Sequence, residues 1–427
     1  MTTNRRQFLK TTVVASAPLF VPASAFGANE RLNIGVIGVA GRGGANLGAV
    51  GGENVVALCD VDRNRLAAAH QQHPKAKTYE DYRQLFEEQN LDAVVVSTPD
   101  HHHAPATMRA LKRGLHVYCE KPLTHTVEEA RLIAAEAARQ KVATQMGTQN
   151  HQHPGYLRLV ELLEKGVIGD VREAHIITDR PGRWWPQGLA APAQKQEIPG
   201  HLNWDAWLGP APARDYHESY VPFKWRGWWH FGCGAIGDMA IHLMDPAFWG
   251  LKLGGPVRVT SEGPPAHVDS GPTWMITKFQ FGQRGTLSPV DVYWYEGTAK
   301  PEAEIAAELP MNGSLFIGSK GKIAIAHGGQ PQLLPEKQFE GFTPPEPYLP
   351  TSPGHHQQWI EACKTGSPTG SHFGYAGPFT EIVLLGNIAH RVGRPITYDP
   401  GKMRVTDNRQ ANQLLGKEYR KGWDLGS

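Results

Sequence analysis

Lys121 stands in the run Tyr118-Cys119-Glu120-Lys121-Pro122, directly after the short apolar segment Leu115–Val117. That segment reads as a buried parallel strand. A lysine at the carboxyl end of such a strand sits where open α/β sheets bind ligands. Pro122 fixes its own φ and biases Lys121 toward extended geometry, so the ammonium is aimed. An aimed ammonium beside a nucleotide crevice can exchange a proton with a hydroxyl whose carbon loses hydride. The plainer alternative is a surface lysine in a strand-to-helix loop. Asp238 and His242 lie four apart in a segment of helical pattern, so both face one side. From these two residues alone, a helix-capping Asp238 and a packed core His242 explain the pattern better than a site does.

A glycine-rich turn lies about 80 residues before Lys121. Read as G-x-G-x-x-G, its phases are Gly38, Ala40 and Gly43, with Gly41 next to the substituted position. Gly38 allows the tight turn, and Arg42 and Gly43 open the helix whose amides would face a diphosphate. Ala40 is a departure where the backbone must approach the pyrophosphate closely. Asp60 ends the next strand, 22 residues after Gly38. A carboxylate there accepts ribose hydroxyls and repels a 2′-phosphate, which favours NAD over NADP. Thr98, Pro99 and the run Asp100-His101-His102-His103 end another strand on the same edge. Adjacent histidines in a turn rarely share a metal, so no metal site is expected. Contact of His103 with the nicotinamide ribose, or helix capping, is the expectation.

The elements that must position these groups alternate over residues 31–150. Strands are expected at Leu32–Ile37, Asn54–Cys59, Ala93–Val96, Leu115–Val117 and Val142–Met146, and helices from the glycine turn to about Val50, at Arg63–Gln72, Pro105–Lys112 and Val127–Arg139. Such alternation implies a parallel sheet covered by helices on both faces. Residues 151–405 read differently. A helix at Tyr156–Lys165 and a strand at Val171–Asp179 precede an irregular stretch, 181–235, and a helix at Ile236–Trp249. Strand patterns follow at Val257–Glu262, Thr273–Phe281, Thr286–Tyr295, Ser314–Ile317 and Lys322–His327, then a Pro-rich loop, 328–353, and helices at His355–Lys364 and Phe379–Arg391. That order predicts an α+β domain on an antiparallel sheet, with 406–427 as a C-terminal tail.

The motifs together resemble the Gfo/Idh/MocA oxidoreductases. The residues that carry the resemblance are Gly38–Gly43, Asp60, Thr98-Pro99-Asp100, Glu120-Lys121-Pro122 and Gly237-Asp238-Met239-Ala240-Ile241-His242. It covers residues 31 to about 395. It implies an N-terminal Rossmann domain, here 31–150, and a C-terminal α+β domain with an open, mostly antiparallel sheet. It also implies that Glu120 and Lys121 lie at the cofactor. Asp238 and His242 would line the substrate pocket, with His242 as acid/base, Asp238 orienting, and Lys121 sharing the proton work. Family members commonly pair through the open sheet face, so a homo-oligomer is expected.

Eight of the twelve tryptophans fall between Trp184 and Trp249, interleaved with Arg183, Arg226 and other basic residues. Indole faces pack on sugar C–H faces while cations bond the hydroxyls. Arg183, Trp225 and Arg226 are therefore expected to join Asp238 and His242 around a small-molecule carbohydrate. The competing reading is a satellite core under long loops.

Bulk properties narrow the remaining classes. The formal net charge of +2 gives no argument for nucleic acid. Beyond residue 30 no apolar run is long enough to span a bilayer. Cys59, Cys119, Cys233 and Cys363 show no C-x-x-C spacing and read as small buried hydrophobes. Residues 1–28 match a twin-arginine export signal, with Arg5-Arg6, a mild apolar stretch and Ala23-Ser24-Ala25. A periplasmic protein has no dissolved NAD pool, so a tightly held cofactor that is regenerated in place is expected. Two chemistries meet that condition: oxidoreduction of sugar hydroxyls, or a glycoside hydrolase that oxidises, eliminates, hydrates and reduces. A catalytically silent sugar-binding relative is the third possibility.

Overall fold

The computed structural model describes residues 31–88 and 90–426. The export signal expected at residues 1–28 lies outside the described residues. Strands β1 (Asn33–Ile37), β2 (Asn54–Cys59), β3 (Lys77–Tyr79), β4 (Ala93–Val96), β5 (His116–Cys119) and β6 (Thr144–Met146) form one parallel sheet in the order β3-β2-β1-β4-β5-β6. All four residues of β4 are buried, as a strand covered on both faces requires. The strand order reverses between β1 and β4, which opens a crevice at their carboxyl ends. The edge strand β3 has no signal in the sequence: its residues, Lys-Thr-Tyr, are mostly exposed.

Two helices begin earlier than their prolines imply. One runs Asp100–Lys112 with Pro105 inside, the other Phe373–Val392 with Pro378 inside. A proline at the sixth position removes one backbone donor, so the preceding turn needs another partner. For Pro105 the released acceptor is the His101 carbonyl, and Lys417 Nζ donates to it at 3.3 Å. The three histidines thus lie in the first turn of a helix, where the sequence reading has a strand end and a turn before a helix from Pro105.

The second sheet has nine strands. They are β7 (Val171–Thr178), β8 (Arg258–Glu262), β9 (Met275–Phe281), β10 (Val290–Glu296), β11 (Gly313–Gly318), β12 (Gly321–Ala326), β13 (Gln332–Leu334), β14 (Ile396–Asp399) and β15 (Arg404–Val405). Their order is β13-β12-β11-β7-β10-β9-β8-β14-β15; β7 and β10 pair in parallel and the other neighbours among the described residues pair antiparallel. Alternate residues of β9 are buried, so one face of the sheet looks to the core. The helix Phe373–Val392 covers that face and also packs on the first domain's helix Val127–Gln140, where Arg131 is bidentate to the buried Glu381.

The chain then returns to its beginning. Trp359, Ile360 and Cys363, from the helix His355–Thr365, complete a core with β1, β2 and β4. Residues 414–424 form a strap over the first domain. Trp423 is 2 % exposed, edge-on to Tyr82, with Arg83 over its ring. Lys417 and Tyr419 both donate to Glu129 Oε1 at 2.8 Å, and the same carboxylate caps the helix Val127–Gln140. The segment expected as a tail is part of the packed structure. All four cysteines are buried and free. Among the described residues no helix is long and apolar enough to cross a membrane.

Candidate active site

The crevice at the strand ends is built around backbone. Gly38 has φ of 83°, and a Cβ there would lie 2.5 Å from the Ser97 carbonyl oxygen. A Cβ on Gly43 would lie 2.0 Å from the Gly38 carbonyl oxygen, so the helix Arg42–Ala49 rests directly on the turn. Gly41 precedes that helix on the open side, Arg42 is exposed, and the departure Ala40 is half-buried. Asp60 ends β2 and clamps the turn: its Oδ2 accepts from Val39 N–H at 3.1 Å and its Oδ1 from Asp62 N–H at 3.0 Å. Burial pushes its pKa up, against those backbone donors. Thr98 Oγ1, after β4, is buried with no partner among the described residues, and Pro99 stands half-buried beside it. A tight glycine turn, a helix N-terminus, a carboxylate at the second strand and an unspent hydroxyl fit a dinucleotide.

His103 and Glu120 stand behind this crevice. The ring nitrogens of His103 meet the carbonyls of Pro122 at 2.6 Å and Thr98 at 2.9 Å, which ties together the loops after β4 and β5. His101 and His102 both reach the Trp207 carbonyl and join the first domain to the loop 202–231. Among the described residues no group of three His, Cys, Asp or Glu could hold a metal ion. Glu120 is 4 % exposed, and its Oε1 accepts from Asn46 and Gln149, each at 3.0 Å. His103 and Glu120 thus brace the loops after β4 and β5 through hydrogen bonds.

Lys121 Nζ donates to Asp238 Oδ1 in a short contact. The lysine and aspartate side chains are 13 % and 8 % exposed. Asp238 lies on a π-helical turn, Ile236–Ala240, that runs on into Ile241–Leu243, which carries His242. The Asp238 carboxylate is spent on cations. Arg226 Nε approaches its Oδ1 at 3.4 Å and Arg180 Nη1 its Oδ2 at 3.7 Å. Burial opposes its ionisation, but the Lys121 and Arg226 charges outweigh that and hold Asp238 well below the usual carboxylate range. For His242, burial and then the nearby ammonium drive its pKa far down, so its ring is neutral. Among the described residues His242 Nδ1 has no hydrogen-bond partner, and neither does Asp238 Oδ2, since Arg180 Nη1 lies beyond hydrogen-bond distance at 3.7 Å.

The tryptophan segment corrects the sequence reading. Trp204, Trp207, Trp225 and Trp228 form a buried satellite core with Tyr216, Tyr220 and Phe231. Trp204 and Trp207 stack on each other at 4.7 Å and are 6 % and 5 % exposed, so burial leaves neither ring open to a sugar. Trp225 instead underlies Arg226, whose guanidinium sits 4.3 Å from that ring and 4.1 Å from Phe223. Arg183 pairs with Asp179 in solvent, its side chain 69 % exposed. Arg180, absent from the sequence reading, reaches Asp238 in its place. The signal was Pro181-Gly182, whose non-helical backbone turns the chain between the two arginines. Trp184, 50 % exposed with Arg180 over its ring at 3.9 Å, is the indole left open beside the site.

A second buried carboxyl supports the π turn from below. Glu296, 1 % exposed, accepts from Trp294 Nε1 at 2.8 Å, and burial pushes its pKa up to about 7 from an ordinary 4.5. The folded protein holds this proton more tightly than the unfolded chain. Stability from this group is therefore complete below pH 4.5 and lost as pH rises toward 7. Glu296→Gln will remove that loss: in thermal melts the variant's advantage over wild type will be larger at pH 8 than at pH 5.

Residues 32–148 match the model of an oxidoreductase family described as an NAD-binding Rossmann fold, and residues 161–291 match that family's C-terminal alpha/beta domain. Inositol 2-dehydrogenase of Salmonella typhimurium is 31% identical over 150 residues, 34% of this chain and 45% of the relative. That of Gluconacetobacter diazotrophicus is 35% identical over 183 residues, 42% of this chain and 54% of the relative. The chain thus spans about half the length of these curated relatives. Among solved structures, the WlbA dehydrogenase from Bordetella pertussis, in complex with NADH and UDP-GlcNAcA, superposes with a TM-score of 0.59 at 17% identity, over 87% of this chain and 99% of that one. The aldose-aldose oxidoreductase from Caulobacter crescentus gives 0.57 at 16%, over 86% and 100%. These two share the fold.

Proposed function

Starting from the chain's membership of the Gfo/Idh/MocA oxidoreductase family, we propose that it is an NAD-dependent oxidoreductase of a carbohydrate hydroxyl. The observation that carries this reading is the pair of buried atoms without hydrogen bonds, Asp238 Oδ2 and His242 Nδ1, beside the Lys121 ammonium and the dinucleotide crevice. Buried polar atoms are rarely left unspent. A substrate hydroxyl supplies both a donor and an acceptor. NAD is favoured over NADP because the Asp60 carboxylate stands where a 2′-phosphate would be repelled.

Bound NAD would supply the hydride acceptor. The chain's part is to manage the proton and the developing charge. Asp238, held ionised, keeps Lys121 in place and accepts a hydroxyl of the sugar. His242, held neutral, takes the proton of the reacting hydroxyl as the C–H bond gives up hydride and a carbonyl forms. The Lys121 ammonium stabilises the oxygen as its proton leaves. Thr98 Oγ1 and the turn at Gly38–Gly43 would hold the cofactor in register with that carbon.

We further infer export by the twin-arginine route with the cofactor already bound. Protein purified without added nucleotide is expected to release NAD on denaturation, and to show reduced-nicotinamide absorbance when given a panel of aldoses, inositols and sugar acids. A protein that yields no nucleotide, and transfers no hydride when NAD is supplied, refutes the reading. Release of aglycone from aryl glycosides with no net cofactor reduction would identify the redox-neutral glycosidase instead.

A further inference from the structure

The carboxylate of Asp238 is shared among three cations, Lys121, Arg226 and Arg180. Asp100, buried below, is the next acid in range. Burial pushes its pKa up and it is spent on the Cys233 N–H at 2.9 Å. Glu120, whose Oε2 accepts from the Lys121 N–H at 3.4 Å, and Arg42, whose charge acts on His242, add one charge of each sign, so even with Asp100 counted as ionised four cations face three carboxylates and one cation is in excess. His242 and His327 add no charge of either sign, since burial keeps both neutral at pH 7. Asp179 is committed to Arg183 and Asn312. The arginine side chains are only 22 % and 18 % exposed, so solvent screens this excess poorly.

Both guanidiniums sit over aromatic rings and direct a nitrogen toward Asp238. Arg226 lies between Phe223 and Trp225, and Arg180 lies on Trp184. Arg226 spends Nε on Asp238 and Nη1 on the Phe223 carbonyl, which leaves Nη2 with no acceptor among the described residues. Among the described residues the Arg180 guanidinium has one polar contact, the long one to Asp238. A neutral sugar would leave these donors and their charge unmatched. A planar carboxylate matches the fork of a guanidinium.

We propose that the substrate is a sugar acid, its carboxylate taken by the free edges of Arg180 and Arg226 while its reacting hydroxyl lies at Lys121 and His242. This rests on the oxidoreductase reading of the same site. Lys121 is kept for chemistry because the two arginines take the substrate's charge.

The test compares a hexuronate, its uncharged methyl ester, the parent hexose and the hexose 6-phosphate on the wild-type enzyme. The uronate is expected to exceed both ester and hexose in kcat/KM by about 30-fold or more, the value of one or two charge-assisted hydrogen bonds. Arg180→Gln should remove about 10–100-fold of that margin, mainly through KM, and Arg180→Lys should restore part of it. Equal kcat/KM for uronate, ester and hexose overturns the sugar-acid assignment and leaves the oxidoreductase reading standing. Preference for the phosphate ester also overturns it. Saturable uronate binding without any hydride transfer supports the anion subsite and defeats the oxidoreductase reading. The ester comparison uses only wild-type protein, so it decides even if a variant misfolds.

Discussion

Lys121→Met will lower the rate of hydride transfer by about 10²–10⁴-fold, the usual contribution of a positioned proton-transfer group, with bound-nucleotide content unchanged. Methionine keeps the length and apolar stem and removes only the ammonium. Arg226 and Arg180 remain on Asp238, so the carboxylate keeps partners and the π turn keeps its anchor. Lys121→Arg keeps a cation but places a planar fork where a compact ammonium stood, and should recover little of the rate. Single-turnover absorbance of the bound nicotinamide measures this free of product release. A Lys121→Met enzyme within about threefold of wild type would contradict the role assigned to this residue.

Gly43→Ala will strip the protein of its dinucleotide. The added Cβ would meet the Gly38 carbonyl oxygen at 2.0 Å, a backbone atom in the turn that faces the diphosphate. Neither side can yield by rotating a side chain, so the helix Arg42–Ala49 must lift off the turn. Overpacking of this kind costs about 1–3 kcal/mol, and here the displaced amides are those that would meet the phosphates. Purified variant should carry less than a tenth of the wild-type nucleotide and show a melting temperature that no longer rises with added NAD. Ala40→Gly is the matched control: it restores the glycine usual at that phase and should retain or tighten binding. Wild-type nucleotide content in Gly43→Ala would show that the phosphates lie elsewhere.

The residues legible in the sequence are those whose role is tied to a fixed spacing. Lys121 follows a strand whose burial leaves few alternatives, and Gly38, Gly43 and Asp60 keep fixed distances from their strands. Asp238 and His242 lie on consecutive turns, and the backbone at Asp238 is a π turn where a regular helix was expected. What was not legible depends on contacts made far along the chain. Pro105 and Pro378 look like helix starts until the partners of the preceding turns are known. Arg183 and Arg180 are equally basic, and only the turn at Pro181-Gly182 sends one to Asp238 and the other to solvent. The tryptophans have the composition of a sugar pocket and the packing of a core, because indole serves both and burial decides between them.

The strap has a bearing on how this protein is made. Trp423 seals against Tyr82, and Lys417 completes a helix turn begun at Asp100. More than 300 residues separate each of these pairs. The nucleotide-binding half therefore lacks part of its core until nearly all of the described chain has left the ribosome, and contacts this distant form late. Residues 31–150, expressed alone as a portable cofactor-binding module, would expose the surfaces that Trp359 and Trp423 cover. The two halves are separate in pattern and share their core.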